Sequence, residues 1–214
     1  MAEQRIAAEM WMLEYAAMER GYRAVCGCDE AGAGPLAGPV YAAAVILPQG
    51  LTLPWLNDSK QVTPKRRDIL FDQIREQAVA WAVAFVDAAE IDELDILNAR
   101  MKAMQMAMDA LPVTPDFALI DGNRDHGSRC AIVTPHETVV KGDSRSASIA
   151  AASILAKVSR DRYMEEIDRL YPQYQFSRHK GYGTKLHYEM LDAYGPSPVH
   201  RRSFLTKWEE RRNG

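Results

Sequence analysis

A chain of 214 residues with 47% hydrophobic content has the means to build one real core and suits a single domain. Its longest apolar stretches fall well short of the roughly 18 residues a membrane span needs, and residues 1–18 lack the basic start and apolar centre of a signal peptide. The net charge of −3 gives no global sign of nucleic-acid binding.

Residues 3–19 read as a helix, with Ile6, Met10, Leu13 and Ala17 at helical spacing. A strand runs to about Asp29 and a second covers about 40–47. The loop between them is too short for a crossover helix, so the two should pair antiparallel. Cys26 and Cys28, two apart on the first strand, share one face and are expected to be buried. With Cys130 they make neither a C-x-x-C pair nor an even disulfide set, which points to a reducing cytoplasm.

Pro48 and Pro54 break the next stretch, and Asn57-Asp58-Ser59-Lys60 is a polar loop. Lys60, Lys65, Arg66 and Arg67 form an early basic cluster. A helix follows from Pro64 to about Gln77, opened by proline, and 79–86 makes a third strand. From Ile91 to Leu111 one helix is expected, its Met101, Met104 and Met108 stripe filling core. Residues 117–121 form a buried strand closed by the turn pair Asp121-Gly122. A strand pair is expected around 131–133 and 138–140.

A long helix at about 144–170 begins with small residues, Ala147 to Ser153, which let it lie close on a sheet. Tyr171-Pro172 ends it. A short helix and a basic helix from about 203 complete the chain, with His200, Arg201, Arg202, Lys207, Arg211 and Arg212 crowded there. Three antiparallel strands, then strands alternating with helices, give a mixed α/β sandwich. It is expected as one domain over 1–214, with a core of about 20–170 and a C-terminal helical segment of about 171–214.

Asp29, Glu30, Asp121 and Asp143 each close or follow a short apolar strand. Strand ends on one side of a sheet can converge, so the four can form one all-oxygen cluster. Adjacent carboxylates resist ionising together, and a hard divalent cation such as Mg²⁺ or Mn²⁺ is the simplest neutraliser. Two such ions about 3.5–4 Å apart can activate a water and stabilise the leaving oxygen of a phosphoryl displacement. The alternative for any one of the four is a solvated strand-end or turn-forming carboxylate.

The loop Gly32-Ala33-Gly34-Pro35-Leu36-Ala37-Gly38 has a G-x-G spacing, yet a dinucleotide site fails here. Asp29 and Glu30 would face the pyrophosphate, and a strand rather than a helix N-terminus follows. A backbone that a sugar-phosphate chain can approach closely remains sensible. Tyr182, with a glycine on each side, has room for a nucleic-acid sugar or base against its ring, or for a neighbouring side chain. His179 in its polar loop is expected at the surface.

Seven ordered blocks carry a family resemblance. They are residues 28–40 (Cys28-Asp29-Glu30-Ala31-Gly32-Ala33-Gly34 onward), Asn57-Asp58-Ser59-Lys60, Leu119 to Asn123, and Lys141-Gly142-Asp143-Ser144. Ala150 to Asp161, His179-Lys180-Gly181-Tyr182-Gly183-Thr184, and Ser197 to Phe204 complete them. Spanning roughly residues 20–205, they resemble the type 2 ribonucleases H, and the bacterial ribonuclease HII family among them. The resemblance implies a ribonuclease H-like mixed sheet flanked by helices, with a C-terminal helical extension. It implies a monomeric, cytoplasmic, metal-dependent endoribonuclease acting on RNA–DNA hybrids and cutting 5′ to ribonucleotides embedded in duplex DNA, leaving 3′-hydroxyl and 5′-phosphate ends. Asp29, Glu30, Asp121 and Asp143 would be the catalytic acids holding Mg²⁺ or Mn²⁺. Gly32-Ala33-Gly34 would read the 2′-hydroxyl through backbone atoms, Tyr182 would stack on the deoxyribose after the junction, and Lys60 and Arg202 would contact the phosphate backbone.

One position departs from the pattern. The family's loop is usually Gly-Arg-Gly, and Ala33 stands where the arginine would. The loss of a charged hydrogen bond, worth about 1.5–3 kcal/mol, implies weaker substrate binding or a changed preference for isolated ribonucleotides. The rival readings are a hybrid-binding module with impaired turnover because of Ala33, and a DNA-directed nuclease of the same fold.

Overall fold

Two buried strands come first, β1 (Val25–Ala31) and β2 (Val40–Ile46), and their pairing is antiparallel. A computed structural model describes residues 9–56 and 62–213. Strand β3 (Ala80–Val86) pairs antiparallel with β2, while β4 (Phe117–Asp121) and β5 (His136–Val139) extend the other edge in parallel. The sheet order β3-β2-β1-β4-β5 is the mixed sheet that the patterning leads one to expect.

Because every residue of β2 is buried, its alternating side chains need apolar cover on both faces. Ala42, Ala44 and Ile46 face a cluster with Cys26, Cys28, Met101, Met104 and Met108. Ala43 and Val45 face Leu70 and Ile74 of helix α2 (Pro64–Gln77), together with Ala150, Ala151 and Ile154 of the long helix (Ala147–Leu170). The cysteine pair and the methionine stripe are core, as their spacing indicates. The small residues opening the long helix permit real contact: a Cβ on Gly27 would stand 2.1 Å from the Ser148 carbonyl carbon.

Four expectations shift. Within the predicted 3–19 helix, residues 3–8 lie outside the described residues, and helix α1 covers Met12–Glu19 after a turn at 10 and 11. The predicted 91–111 helix is two, α3 (Ala88–Leu94) and α4 (Ile96–Asp109), broken at Asp95. Asp95 has φ 72° and its carboxylate accepts from Asn98 N–H, which starts a new helix instead of continuing the old one. Of the strand pair expected around 131–133 and 138–140, the second is present within β5, paired with β4, and the first does not form. Asn98 Oδ1 accepts from Arg129 and Cys130 N–H, and Gln105 Oε1 from Val133 N–H, so helix side chains replace a ladder there. Two helices begin late: the long helix, α5, starts at Ala147 behind a 3₁₀ turn at Gly142–Ser144, and the basic helix at Thr206 behind a 3₁₀ turn at Arg202–Phe204. Among the described residues no helix is long and apolar enough to cross a membrane.

Helix α1 has a task its sequence does not announce. Glu14 is buried, and its Oε1 accepts from Ser146 Oγ (2.6 Å), Ser148 Oγ (2.7 Å) and Ser148 N–H (3.0 Å) at the start of α5. A carboxylate there meets the positive end of the helix dipole and satisfies an orphan amide. The Ala147 N–H is held by the Met10 carbonyl as well. Replacing Glu14 by Ala strands these donors, and the expected loss of stability is about 2–4 kcal/mol. Urea unfolding measures it; a loss below about 1 kcal/mol would show that the buried carboxylate is not what joins α1 to α5.

Candidate active site

Neighbouring acids on a strand point to opposite faces of the sheet. Asp29 turns toward α5, where Ser153 hydrogen-bonds its carboxylate, and its Oδ1 also accepts from Glu30 N–H at 2.7 Å. Glu30 turns toward α4 and meets Arg100 Nη2 at 2.6 Å. The two carboxylates thus share a strand end while each has its own partner on its own face. In β4, Asp121 lies one residue beyond the Cys28–Ile120 register pair, which sets it beside Asp29 on the parallel neighbour. Asp121 Oδ1 accepts from Gly142 N–H at 2.7 Å, and buried Asp143 follows on the same 3₁₀ turn.

One cleft is lined by Asp29, Glu30, Asp121, the loop Gly32-Ala33-Gly34, and the ring of Tyr182. Ser153, Lys157 and Arg160 complete the wall. Buried Asp143 is not part of that lining. Among the described residues no three acidic, His or Cys side chains already stand close enough to hold an ion together. Burial, then the charges of Glu30 and Asp121, pushes the Asp29 carboxyl well above its ordinary range. All the candidate donors are carboxylate oxygens, and the excess negative charge is of the kind a hard divalent cation relieves. The residues therefore fit such an ion.

The loop is fastened from below. Arg160 donates to the carbonyls of Pro39 (3.0 Å), Ala37 (3.1 Å) and Lys180 (2.9 Å). Arg201 donates to those of Gly32 (2.6 Å), Ala33 (3.0 Å) and Gly38 (2.9 Å). Gly32 has φ +95°, and a Cβ there would lie 2.0 Å from Arg160 Nε, so the position admits glycine alone. The Tyr182 ring is exposed and lies opposite Gly34, with the Arg160 guanidinium 5.9 Å from its centroid.

Of the two expected phosphate contacts, one is among the described residues. Lys60 lies outside the described residues. Arg202 is exposed on the 3₁₀ turn after Arg201, its backbone N–H held by Asp92 at 2.7 Å, and it is not among the cleft residues. His179, expected at the surface, is buried in a stack of aromatic and imidazole rings. Sequence reading also missed Arg100, Ser153, Lys157 and Arg160. Residues 153, 157 and 160 are spaced four and three apart on one helix, so the polar stripe was a usable signal; for Arg100 nothing short of the fold reveals its partner.

Carboxylates at the ends of a mixed sheet, over a cleft walled by basic side chains, are the arrangement of a ribonuclease H-like phosphodiester hydrolase. Residues 26–207 match the family model described as Ribonuclease HII. A ribonuclease HII of Enterococcus faecalis is 50% identical over 202 residues, covering 94% of this chain and 77% of the relative. One of Geobacter sulfurreducens is 51% identical over 195 residues, covering 91% and 88%. The crystal structure of the ribonuclease H2 from Pyrococcus horikoshii superposes with a TM-score of 0.73 at 26% identity, covering 88% of this chain and 98% of that one. The chain belongs to the ribonuclease HII family, and it is an endoribonuclease acting on RNA–DNA hybrids.

The raised Asp29 carboxyl has a consequence for stability. A folded pKa above the unfolded one leaves stability intact below the unfolded value and removes it as pH rises through the folded value. At neutral pH the Asp29 carboxyl therefore costs stability relative to acid pH. Asp29→Asn keeps the acceptor for Glu30 N–H and removes the charge. In EDTA at pH 7 it should raise the melting temperature by about 2–4 °C, a gain that vanishes toward pH 4. A lower melting temperature at pH 7 would contradict this account of the acids.

Proposed function

We propose that this endoribonuclease cuts on the 5′ side of ribonucleotides embedded in duplex DNA, as well as within the RNA strand of hybrids, and leaves 3′-hydroxyl and 5′-phosphate ends. The observation that supports it is one cleft in which the acids Asp29, Glu30 and Asp121 stand beside the Gly32–Gly34 backbone and the Tyr182 ring. The protein would work as a monomer, as one domain over residues 1–214, in the cytoplasm.

Asp29, Glu30, Asp121 and Asp143 would hold a pair of Mg²⁺ or Mn²⁺ ions. When bound, such ions supply Lewis acidity for ionising a water and stabilising a leaving oxygen in an in-line displacement. The chain's own residues do the positioning. Asp29 and Asp121 set the strand-end acids side by side, and Gly142 N–H orients the Asp121 carboxylate. Gly32, Ala33 and Gly34 present backbone to the ribose, where a 2′-hydroxyl separates RNA from DNA. The Tyr182 ring closes the far side against the deoxyribose. Lys60 and the exposed Arg202 would contact phosphates and orient the duplex.

Cleavage of an end-labelled DNA duplex carrying one ribonucleotide tests this reading. Scission 5′ to the ribonucleotide is expected with Mg²⁺ or Mn²⁺, none with EDTA, and none on an all-DNA control. Cutting of the control would favour a DNA-directed nuclease. Asp29→Asn should abolish turnover while duplex binding persists, and wild-type turnover in that variant would refute the site assignment. The reading as a binding module that has lost turnover has nothing to support it, since all four acids are intact and the family match is to nucleases.

Ala33→Arg restores a cation beside the phosphates. Binding of the single-ribonucleotide duplex should tighten roughly tenfold, the worth of one charged hydrogen bond. Unchanged binding and cleavage would show that Ala33 costs nothing.

A further inference from the structure

Behind Tyr182 three histidines are buried together, His179 in helix α6 (Phe176–His179), His187 in α7 (Lys185–Tyr194) and His200 just before Arg201. Their rings stack on one another and on Phe176: His179 and His187 centroids are 4.3 Å apart at 19°, and those of His187 and His200 are 5.1 Å apart. None belongs to the acid cluster, and the cleavage reading makes no use of them.

Their hydrogen bonds assign every proton. A backbone N–H can only donate, so the ring nitrogen facing it must be bare. Ser197 N–H donates to His200 Nδ1 at 3.0 Å, which leaves the proton of that ring on Nε2. That Nε2–H donates to His187 Nε2 at 2.9 Å, so His187 carries its proton on Nδ1. The Nδ1–H in turn donates to the Tyr182 carbonyl at 2.9 Å. Likewise Gly181 N–H donates to His179 Nδ1, and His179 Nε2–H donates to the Tyr174 carbonyl at 2.9 Å. All six ring nitrogens are engaged, and a proton added to any ring would face an existing donor.

The chain of bonds ends at the cleft. The Tyr182 carbonyl accepts from Thr184 N–H as well, and the neighbouring Gly181 carbonyl accepts from Leu36 N–H at 2.8 Å, on the loop that carries Gly34. We propose that Ser197, His200 and His187 form a proton-ordered relay of neutral imidazoles that positions Tyr182 against the Gly32–Gly34 loop, which makes the two histidines positioning residues for substrate recognition. The proposal rests on Tyr182 meeting the substrate sugar.

Electrostatics agrees with the bonding. Burial, then His179, brings His187 down to about 4; burial, then His187, brings His200 down to about 3; burial lowers His179 too. The charged groups facing the stack are Arg178, Asp168 and Arg202, and only Asp168 favours a protonated ring, at His179. The relay is therefore neutral over the pH range in which an ordinary histidine titrates.

Two side chains separate the relay from mere packing. His187→Gln can still accept from His200 but has no donor at the Nδ1 position. His187→Asn keeps a donor toward the Tyr182 carbonyl and gives up His200. On the single-ribonucleotide duplex, the Gln variant should raise KM about three- to tenfold, the worth of one net hydrogen bond, with kcat held, while Asn restores the wild-type KM. In a Tyr182→Ala background the Gln effect should disappear. Equal KM for Gln and Asn, or a Gln effect that survives loss of the ring, overturns the relay. An unchanged KM in Tyr182→Ala alone overturns the stacking reading beneath it. Nitrogen-15 NMR of the unaltered protein needs no variant to fold: His179 and His200 should show the Nε2–H tautomer, His187 the Nδ1–H tautomer, and neither His187 nor His200 should titrate between about pH 5 and 8. An Nε2–H tautomer at His187, or its titration in that range, refutes the proposal.

Discussion

Two buried guanidinium groups hold the molecule's working parts together. Arg160 comes from α5 and Arg201 from the C-terminal segment, and five of their six hydrogen bonds end on carbonyls of residues 32–39. Among the described residues neither makes an ion pair. Burial lowers both, and brings Arg201 down to about 9 with Arg160 as the second cause. Arginine suits this place because its planar fork meets several carbonyls at once and its charge is weakly hydrated. With their oxygens turned down onto the guanidinium groups, the loop residues are held in one conformation beside the acids. The C-terminal segment is drawn in by the same contact: Leu36 N–H donates to Gly181 O, Gly38 N–H to Val199 O, and Arg201 N–H to Leu36 O. Two positive charges beneath the loop also lie close to where Ala33 leaves an arginine out.

The acids show the opposite economy of charge. Asp29 is forced up by burial and by its neighbours Glu30 and Asp121, the kind of like-charge crowding that functional sites concentrate. The fold limits the damage by geometry. Alternation along β1 sends Glu30 to Arg100 on one face and Asp29 to Ser153 on the other. Asp121 is engaged by Gly142 N–H, which couples the end of β4 to the turn bearing Asp143. That turn is steadied in its own right, because Ser146 N–H donates to Gly142 O and Ser146 Oγ to Glu14. Helix α1 thus supports the acid turn from a distance of well over a hundred residues in sequence.

The parts of this structure that could be read from the chain are those governed by short-range patterns. Strands β1 to β4, helix α2 and the body of α5 follow from apolar period, proline placement and small-residue runs, which act within a few residues of themselves. The acids were legible as candidates because each closes or follows a buried strand, and three of them line one cleft. Asp95 was misread because a helical stripe runs through it, and only its left-handed φ and its cap on Asn98 reveal the break. The 131–133 segment has strand-like side chains, yet Asn98 and Gln105 on α4 take the amides around it. His179 looked exposed because its loop is polar, whereas its ring is buried by partners at 174, 176 and 187.

By itself the sequence determined the family and the mixed sheet and singled out the four acids and the glycine loop as candidates, because motif order and local periodicity are properties of the chain alone. Tertiary structure decided what those residues face. It selected Arg100 as the partner of Glu30, turned Arg160 and Arg201 into supports for a loop more than a hundred residues away, and directed the histidine protons toward Tyr182. The physical reason is burial: a buried charge or imidazole needs a partner of fixed geometry, and which partner arrives is settled only when distant segments pack.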